Sequence, residues 1–245
     1  MSGFSAQISE DKMKLEELVR QLELAYGEGL RSVVLFGSAV AGEHTKKSDY
    51  NVLVVVDALP LERLRAVAAV SKAWADDGNP PPMTFTTKEF RSSADIFPME
   101  YADILERHRV LFGEDPLDGI KVNPADLRLE VEQQTMGKLL HLRQATMGAG
   151  GDRKLQLELL EKSLSTLMVI FRGVSRLQGD VPSPDYEELA KSLAQRAGFS
   201  PDPFVRVIRH VRGTEKIPRE GAEAILEQYL GAMERLVTYL NAFRH

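Results

Sequence analysis

The stretch "VVLFGSAVAGEHTKKSDYNVLVVVD", residues 33–57, sets two apolar runs on either side of a polar loop. Both runs, "SVVLF" (32–36) and "YNVLVVV" (50–56), are dense in β-branched residues. Each is apolar at consecutive positions rather than alternate ones, the pattern of strands covered on both faces. Gly37-Ser38 closes the first run and Asp49 precedes the second. A strand that delivers Gly-Ser to the start of a short helix leaves backbone N–H groups free, permits close approach and adds a hydroxyl donor. That combination suits a phosphate. On an extended strand residues 49 and 51 share a face, so two acids there can share a divalent ion with phosphate oxygens. In this chain the second of those positions is Asn51.

Outward from this stretch the chain falls into two regimes. Residues 8–26 carry Leu15, Leu18, Val19, Leu22 and Tyr26 at helical spacing, with Gly27 and Gly29 as stop signals. A helix is expected over 61–76, broken by Gly78-Asn79-Pro80-Pro81-Pro82, and a third strand over "MTFTT", 83–87. Residues 95–117 read as loop and helix, with His108 between Arg107 and Arg109 on a helical stretch where Asp103 sits four before Arg107. "FGEDPLDG", 112–119, is rich in turn formers and reads as a domain exit. The expected first domain, 1–120, is therefore α/β or α+β with a small mixed sheet. From Pro124 onward strand signals vanish and five helical patterns follow, separated by Gly, Pro and Ser. Residues 121–245 are expected to form an all-α helical bundle.

Composition narrows the partners. The 245 residues contain no cysteine, which excludes disulfides, thiolate metal sites and a cysteine nucleophile. Residues 1–120 hold 20 acidic against 13 basic side chains and residues 121–245 hold 16 against 18, for a net charge of -5. An acidic whole argues against long nucleic acid. The N-terminal stretch lacks the pattern of a signal peptide, and no run is long and apolar enough to span a membrane, so a cytoplasmic protein without a membrane partner is expected.

Competing phosphate loops fail on chemistry. Gly37 and Gly42 have the glycine spacing of a P-loop, but Glu43 and His44 stand where Lys and Ser/Thr are required. A dinucleotide fingerprint would need a third glycine. What Phe36-Gly37-Ser38, a spacer of ten residues, and Asp49-Tyr50-Asn51-Val52-Leu53-Val54 resemble is the nucleotidyltransferase-fold superfamily, which includes polymerase beta-like, kanamycin and minimal nucleotidyltransferases. Residues 95–117 are similar to a segment that many bacterial members carry. The resemblance covers about 120 residues by motif and the rest by architecture.

The resemblance implies phosphate binding by Gly37 and Ser38, and Mg2+ binding by Asp49 and Asn51 as the catalytic pair. It also implies a nucleoside triphosphate as ligand and a small-molecule or protein acceptor, held in part by a helical C-terminal domain. The Asp-x-Asn motif departs from the family's Asp-x-Asp or Asp-x-Glu. An amide offers a carbonyl oxygen but no charge, and one unit charge at 4 Å is worth about 4 kcal/mol at an effective dielectric near 20. Asn51 either coordinates a metal or hydrogen-bonds the loop.

The family's third acid is not evident either. The strand "MTFTTKEF" offers Thr84, Thr86 and Thr87, with Glu89 only at its end. Asp57 shares a strand face with Asp49 but lies about 26 Å along it, and neither Glu43 nor Asp95, Glu100 or Asp103 can be assigned. In the bundle, Arg206, Arg209, His210, Arg212, Lys216 and Arg219, with Arg172 and Arg176, form a basic run that suits either phosphate or plain solvation. Arg206 and His210 have three residues between them, one short of the HEPN-toxin spacing. Two functions follow: transfer of a nucleoside monophosphate to a hydroxyl acceptor, or an inactive nucleotide-binding or protein-interaction module on the same fold.

Overall fold

The computed structural model describes residues 3–40 and 50–243. The chain divides into two compact units, Met1–Val122 and Asn123–His245.

The first unit opens with helix α1 (Gly3–Tyr26), followed by strand β1 (Leu30–Phe36) and a short turn of helix over Gly37–Ala39. Strand β2 (Asn51–Val56), helices α2 (Leu61–Ala66) and α3 (Ala68–Asp76), strand β3 (Met83–Thr86) and helices α4 (Thr87–Ser92) and α5 (Pro98–Glu106) come next, and strand β4 (His108–Gly113) closes the sheet. The strand order is β3-β2-β1-β4, with β1 antiparallel to both β2 and β4 and β2 parallel to β3. The sheet is therefore small and mixed.

Consecutive apolar positions in β1 and β2 serve two cores. Val33, Leu35, Val52, Val54 and Val56 meet Leu15, Leu18, Leu22 and Tyr26 of α1 and Trp74 of α3. On the opposite face Val34, Leu53 and Val55 meet Phe90 of α4 and Tyr101 and Ile104 of α5. Each fully buried apolar side chain contributes about 1.5–3 kcal/mol relative to an exposed one, which is why these two strands carry no polar residue between Val33 and Leu35 or between Val52 and Val56.

Two expectations are corrected here. The helix expected over 61–76 is two helices that meet at Val67, whose φ of -90° and ψ of -2° lie off the regular α-helical values. The helical reading through His108 also fails: α5 ends at Glu106, and His108 opens β4. β1 has a free edge once β2 covers the other, and its buried N–H and C=O groups need partners. β4 supplies them from Phe36↔His108 to Ser32↔Gly113, with a register shift between Val33 and Val34.

Among the described residues the longer regular elements of the second unit are all helices: α6 (Pro124–Ala149), α7 (Arg153–Leu177), α8 (Tyr186–Ala197), α9 (Asp202–Arg212) and α10 (Ala222–Ala242). The starts are fixed by side-chain caps, Asn123 on α6, Asp152 on α7 and Asp185 on α8. α7 is the central helix, burying Leu160, Leu164, Leu167, Met168, Phe171 and Val174. Ser163 of α7 and Tyr229 of α10 share a buried hydroxyl–hydroxyl hydrogen bond of 2.8 Å, and burial pushes the Tyr229 phenol up.

Candidate functional site

The antiparallel ladder brings the end of β1 to the start of both its neighbours. Phe36 pairs with Asn51 on one side and with His108 on the other. Side chains directly opposite in a sheet share a face, so Asn51, Phe36 and His108 form a row on the α4–α5 side.

Immediately beyond Phe36 the chain turns at Gly37, whose φ of +81° is a conformation that L side chains rarely adopt. A Cβ at Gly37 would sit 3.5 Å from Nδ2 of Asn51. The structure thus brings Gly37 and Asn51 together. The Gly37 N–H donates to the Arg107 carbonyl at 3.1 Å, so this amide is spent on holding the turn to the start of β4. Ser38 is the middle residue of the turn. The Ser38 side chain and Asp49 lie outside the described residues.

The backbone between Asp49 and Asn51 is anchored from below. The Tyr50 N–H donates to Oδ1 of Asn79 at 2.9 Å, and Nδ2 of Asn79 donates to the Trp74 carbonyl at 3.3 Å. Asn79 is buried, and the Tyr50 and Trp74 rings pack with centroids 6.1 Å apart. Sequence reasoning treated Asn79 only as a helix breaker; a polar residue inside "GNPPP" gives no other signal.

His108 is the second residue that sequence reasoning misplaced. Its Nδ1 lies 2.9 Å from the Ile104 carbonyl oxygen and its Nε2 lies 3.2 Å from Oδ2 of Asp115. Oδ1 of Asp115 in turn accepts from the Leu117 N–H. Both ring nitrogens are therefore engaged in tying β4 to the segments around it.

The candidate acids have other tasks. The Asp57 carboxylate is held by Nε of Arg31 at 2.6 Å and by a second guanidinium nitrogen, and this pairing lowers its pKa. Glu89 completes a capping box, accepting from the Thr86 N–H at 2.8 Å while its own N–H donates to the Thr86 hydroxyl at 3.2 Å. Those hydrogen bonds hold its carboxyl below the ordinary 4.5. Its contribution to stability is present above the unfolded pKa and is lost as pH falls through the lowered folded value. Because β3 runs parallel to β2 with Leu53↔Met83, its N-terminal end is the one next to Asn51, and there the sequence is Pro80-Pro81-Pro82. Glu89 sits at the far end. Glu89→Gln should therefore leave any nucleotide-dependent melting shift intact and lower the melting temperature by no more than about 5 °C; loss of the nucleotide shift would make Glu89 a site residue.

Part of the basic run of the second unit is paired from within. Arg209 holds Glu187 through Nε and a terminal nitrogen at 3.0 and 2.9 Å, and Arg212 holds Asp185 at 3.1 Å while lying over the Tyr186 ring. His210 is buried, with Nε2 2.7 Å from Glu161 and Nδ1 accepting from the Ile217 N–H at 2.9 Å.

Comparison with known proteins adds the family. Residues 12–111 match the model of the nucleotidyltransferase domain. The matched residues lie within the first unit. The chain is also similar in fold to spectinomycin adenyltransferase AAD(9) from Enterococcus faecialis, solved with ATP and spectinomycin, with a TM-score of 0.61 at 12% sequence identity, covering 91% of this chain and 99% of that one. A search of curated proteins finds no match. The Gly37 turn and the amide at position 51 both lie inside the matched stretch.

A resident divalent ion does not fit the residues the structure describes. Asn51 is neutral, the adjoining end of β3 offers only prolines, and no group of three His, Asp or Glu side chains is placed to hold a metal among the described residues.

Proposed function

We propose that this chain binds a nucleoside triphosphate where the Gly37 turn meets Asn51, and transfers its nucleoside monophosphate to a hydroxyl of a small-molecule acceptor. The observation that carries this reading is the juxtaposition of Gly37 and Asn51 at the end of the sheet, inside a stretch that matches the nucleotidyltransferase domain. The ligands of the AAD(9) structure, ATP and spectinomycin, are of the same two classes, a nucleoside triphosphate and a small molecule.

In the transfer, the acceptor oxygen attacks the α-phosphorus, pyrophosphate leaves, and the acceptor proton passes to solvent or to a carboxylate. The chain's own contribution is positioning and electrostatics. Gly37 lets the phosphates approach without a Cβ in the way, the Ser38 hydroxyl donates to them, and the Asn51 amide supplies a neutral donor and acceptor at the same end of the sheet. The triphosphate enters as its Mg2+ complex, and Asp49 is the carboxylate that meets it.

A second reading is a nucleotide-binding module without turnover, and one observation favours it: β3 brings no acid to Asn51. The test is a thermal-shift titration with a panel of NTPs, each with Mg2+, with Mn2+ and with chelator, followed by pyrophosphate release over a panel of hydroxyl-bearing acceptors. A nucleotide at 100 times its dissociation constant stabilises by about 2.7 kcal/mol, or roughly 5–10 °C for a chain of this size. A shift with pyrophosphate release supports transfer. A shift without release supports the binding module, and the absence of any nucleotide shift overturns both.

A further inference from the structure

Helix α6 is apolar on two opposite sides, and only one of them is covered. Val131, Leu139 and Leu142 are buried in the bundle. On the other side Leu129, Met136, Leu140 and Met147 are 68%, 39%, 50% and 75% exposed. At 3.6 residues per turn all four lie within about 20° of one line along the helix, and Met147 is five turns beyond Leu129. The stripe therefore runs parallel to the axis for about 27 Å. Single exposed apolar residues are ordinary, whereas four aligned along one face form a stripe that suits an interaction surface.

The spacing of the stripe identifies what fits it. Its intervals are seven, four and seven residues, the same read in either direction, with the midpoint at position 138. A second α6 laid antiparallel across a two-fold axis at that midpoint sets Leu129 against Met147 of its mate and Met136 against Leu140, an isologous contact in which every apolar side chain finds an apolar partner. Lys138 itself points half a turn away from the stripe, so the axis brings no two ammonium groups together.

The charges flanking the stripe agree with this arrangement. Glu132 and Arg143 lie on the same side of it, and the two-fold operation brings each to within one residue of the other on the second copy. Within one copy Glu132 is held by Arg128 and Arg143 holds Glu234, both at 2.8 Å. The antiparallel pair extends these into a row of alternating sign, Arg128, Glu132, Arg143 and Glu234, across the contact. A parallel pair would instead turn this flank towards Gln133 and Gln144 on the other flank of the mate and leave the two charges without opposite partners across the contact.

We propose that the Leu129–Met147 stripe of α6 is a self-association surface that takes the same stripe of a second copy of this chain in antiparallel orientation. One helix face buries less than a standard interface of about 800 Å² per partner, so the association is reversible and concentration-dependent. It is independent of what the nucleotidyltransferase domain binds.

Sedimentation equilibrium of the full chain, from micromolar to submillimolar concentration, tests this directly. The wild type is expected to shift from monomer to dimer over that range, and Leu140→Glu, which places a charge against Met136 of the mate, to weaken association by more than about 100-fold. Circular dichroism and melting temperature establish that the variant is folded. A wild type that stays monomeric throughout overturns the proposal, as does a dimer that persists in folded Leu140→Glu. If that variant does not fold, the orientation itself decides. The chain has no cysteine, so Met136→Cys and Leu140→Cys chains can be mixed under mild oxidation. From equimolar chains, a mixed disulfide well above the statistical two-to-one ratio to either homodisulfide supports the antiparallel stripe, since residues on facing helix surfaces come within the Cα separation that a disulfide requires. A statistical or homodisulfide-dominated distribution overturns it.

Discussion

Asn51→Asp is expected to make nucleotide binding by this chain markedly more dependent on divalent metal. On the proposed reading the amide stands where a second carboxylate would complete a metal site, and its described neighbours do not replace it: the residues before β3 are Pro80-Pro81-Pro82, Glu89 is bound into the cap of α4, and Asp57 is bound by Arg31. Asp and Asn differ by one oxygen for one NH2, so the backbone of β2 and the contact with Gly37 should survive the change. The added charge, about 4 Å from a bound cation, is worth up to about 4 kcal/mol at an effective dielectric near 20. That corresponds to as much as ~10³-fold in affinity for the metal complex of the triphosphate. Thermal-shift titrations of both proteins with Mg2+-NTP and with chelator check this. The variant should gain a chelator-sensitive shift that the wild type has weakly or not at all. Equal behaviour of the two proteins would mean that position 51 does not face the cation, and that the site must be sought elsewhere on the domain.

How far this site could be read from the sequence depends on what each residue's neighbours are. The strands 30–36 and 51–56 announce themselves because burial on both faces excludes polar residues, and that exclusion is visible without knowing the partners. The five helices of the second unit are visible through their apolar spacing and their Asn, Asp and Gly punctuation. Once β1 and β2 are known to be antiparallel, the meeting of Gly37 with Asn51 follows from the register alone. β4 was hidden because its pairing is long-range: "HRVLFG" continues the apolar spacing of α5, and only the unpaired edge of β1 makes it a strand. The tasks of Glu89, Asp57 and His210 were hidden for a related reason. A carboxylate in a capping box, one on an arginine of a neighbouring strand, and an imidazole buried on a glutamate from another helix all look like free functional groups until the fold supplies their partners.

Gly113→Ala is expected to cost the first unit ~3 kcal/mol or more, although the substitution adds one methyl group at an exposed position. Gly113 ends β4 at φ +75°, and a Cβ there would stand 1.9 Å from the Arg31 carbonyl oxygen and 2.9 Å from its carbon. The obstacle is backbone, so no side-chain rotation relieves it. Arg31 cannot retreat cheaply, because β1 is an inner strand hydrogen-bonded on both edges and the Arg31 guanidinium is fixed on Asp57. The remaining outlet is to strip the end of β4 from β1, which gives up the Ser32↔Gly113 pairing and the Ser32 hydroxyl bond to the Phe112 carbonyl. Gly119→Ala separates the two contributions: its φ of +77° is nearly the same, but nothing lies within 4 Å of the added Cβ. It should show only the left-handed backbone penalty of about 1–2 kcal/mol. Urea denaturation of both variants measures the difference. Amide exchange should show the loss of protection confined to β4 and its partners in β1, reaching the Gly37 amide through its bond to the Arg107 carbonyl. If both variants unfold at the same midpoint, β4 does not clamp β1 at this point, and the turn that carries Gly37 is held by β2 alone.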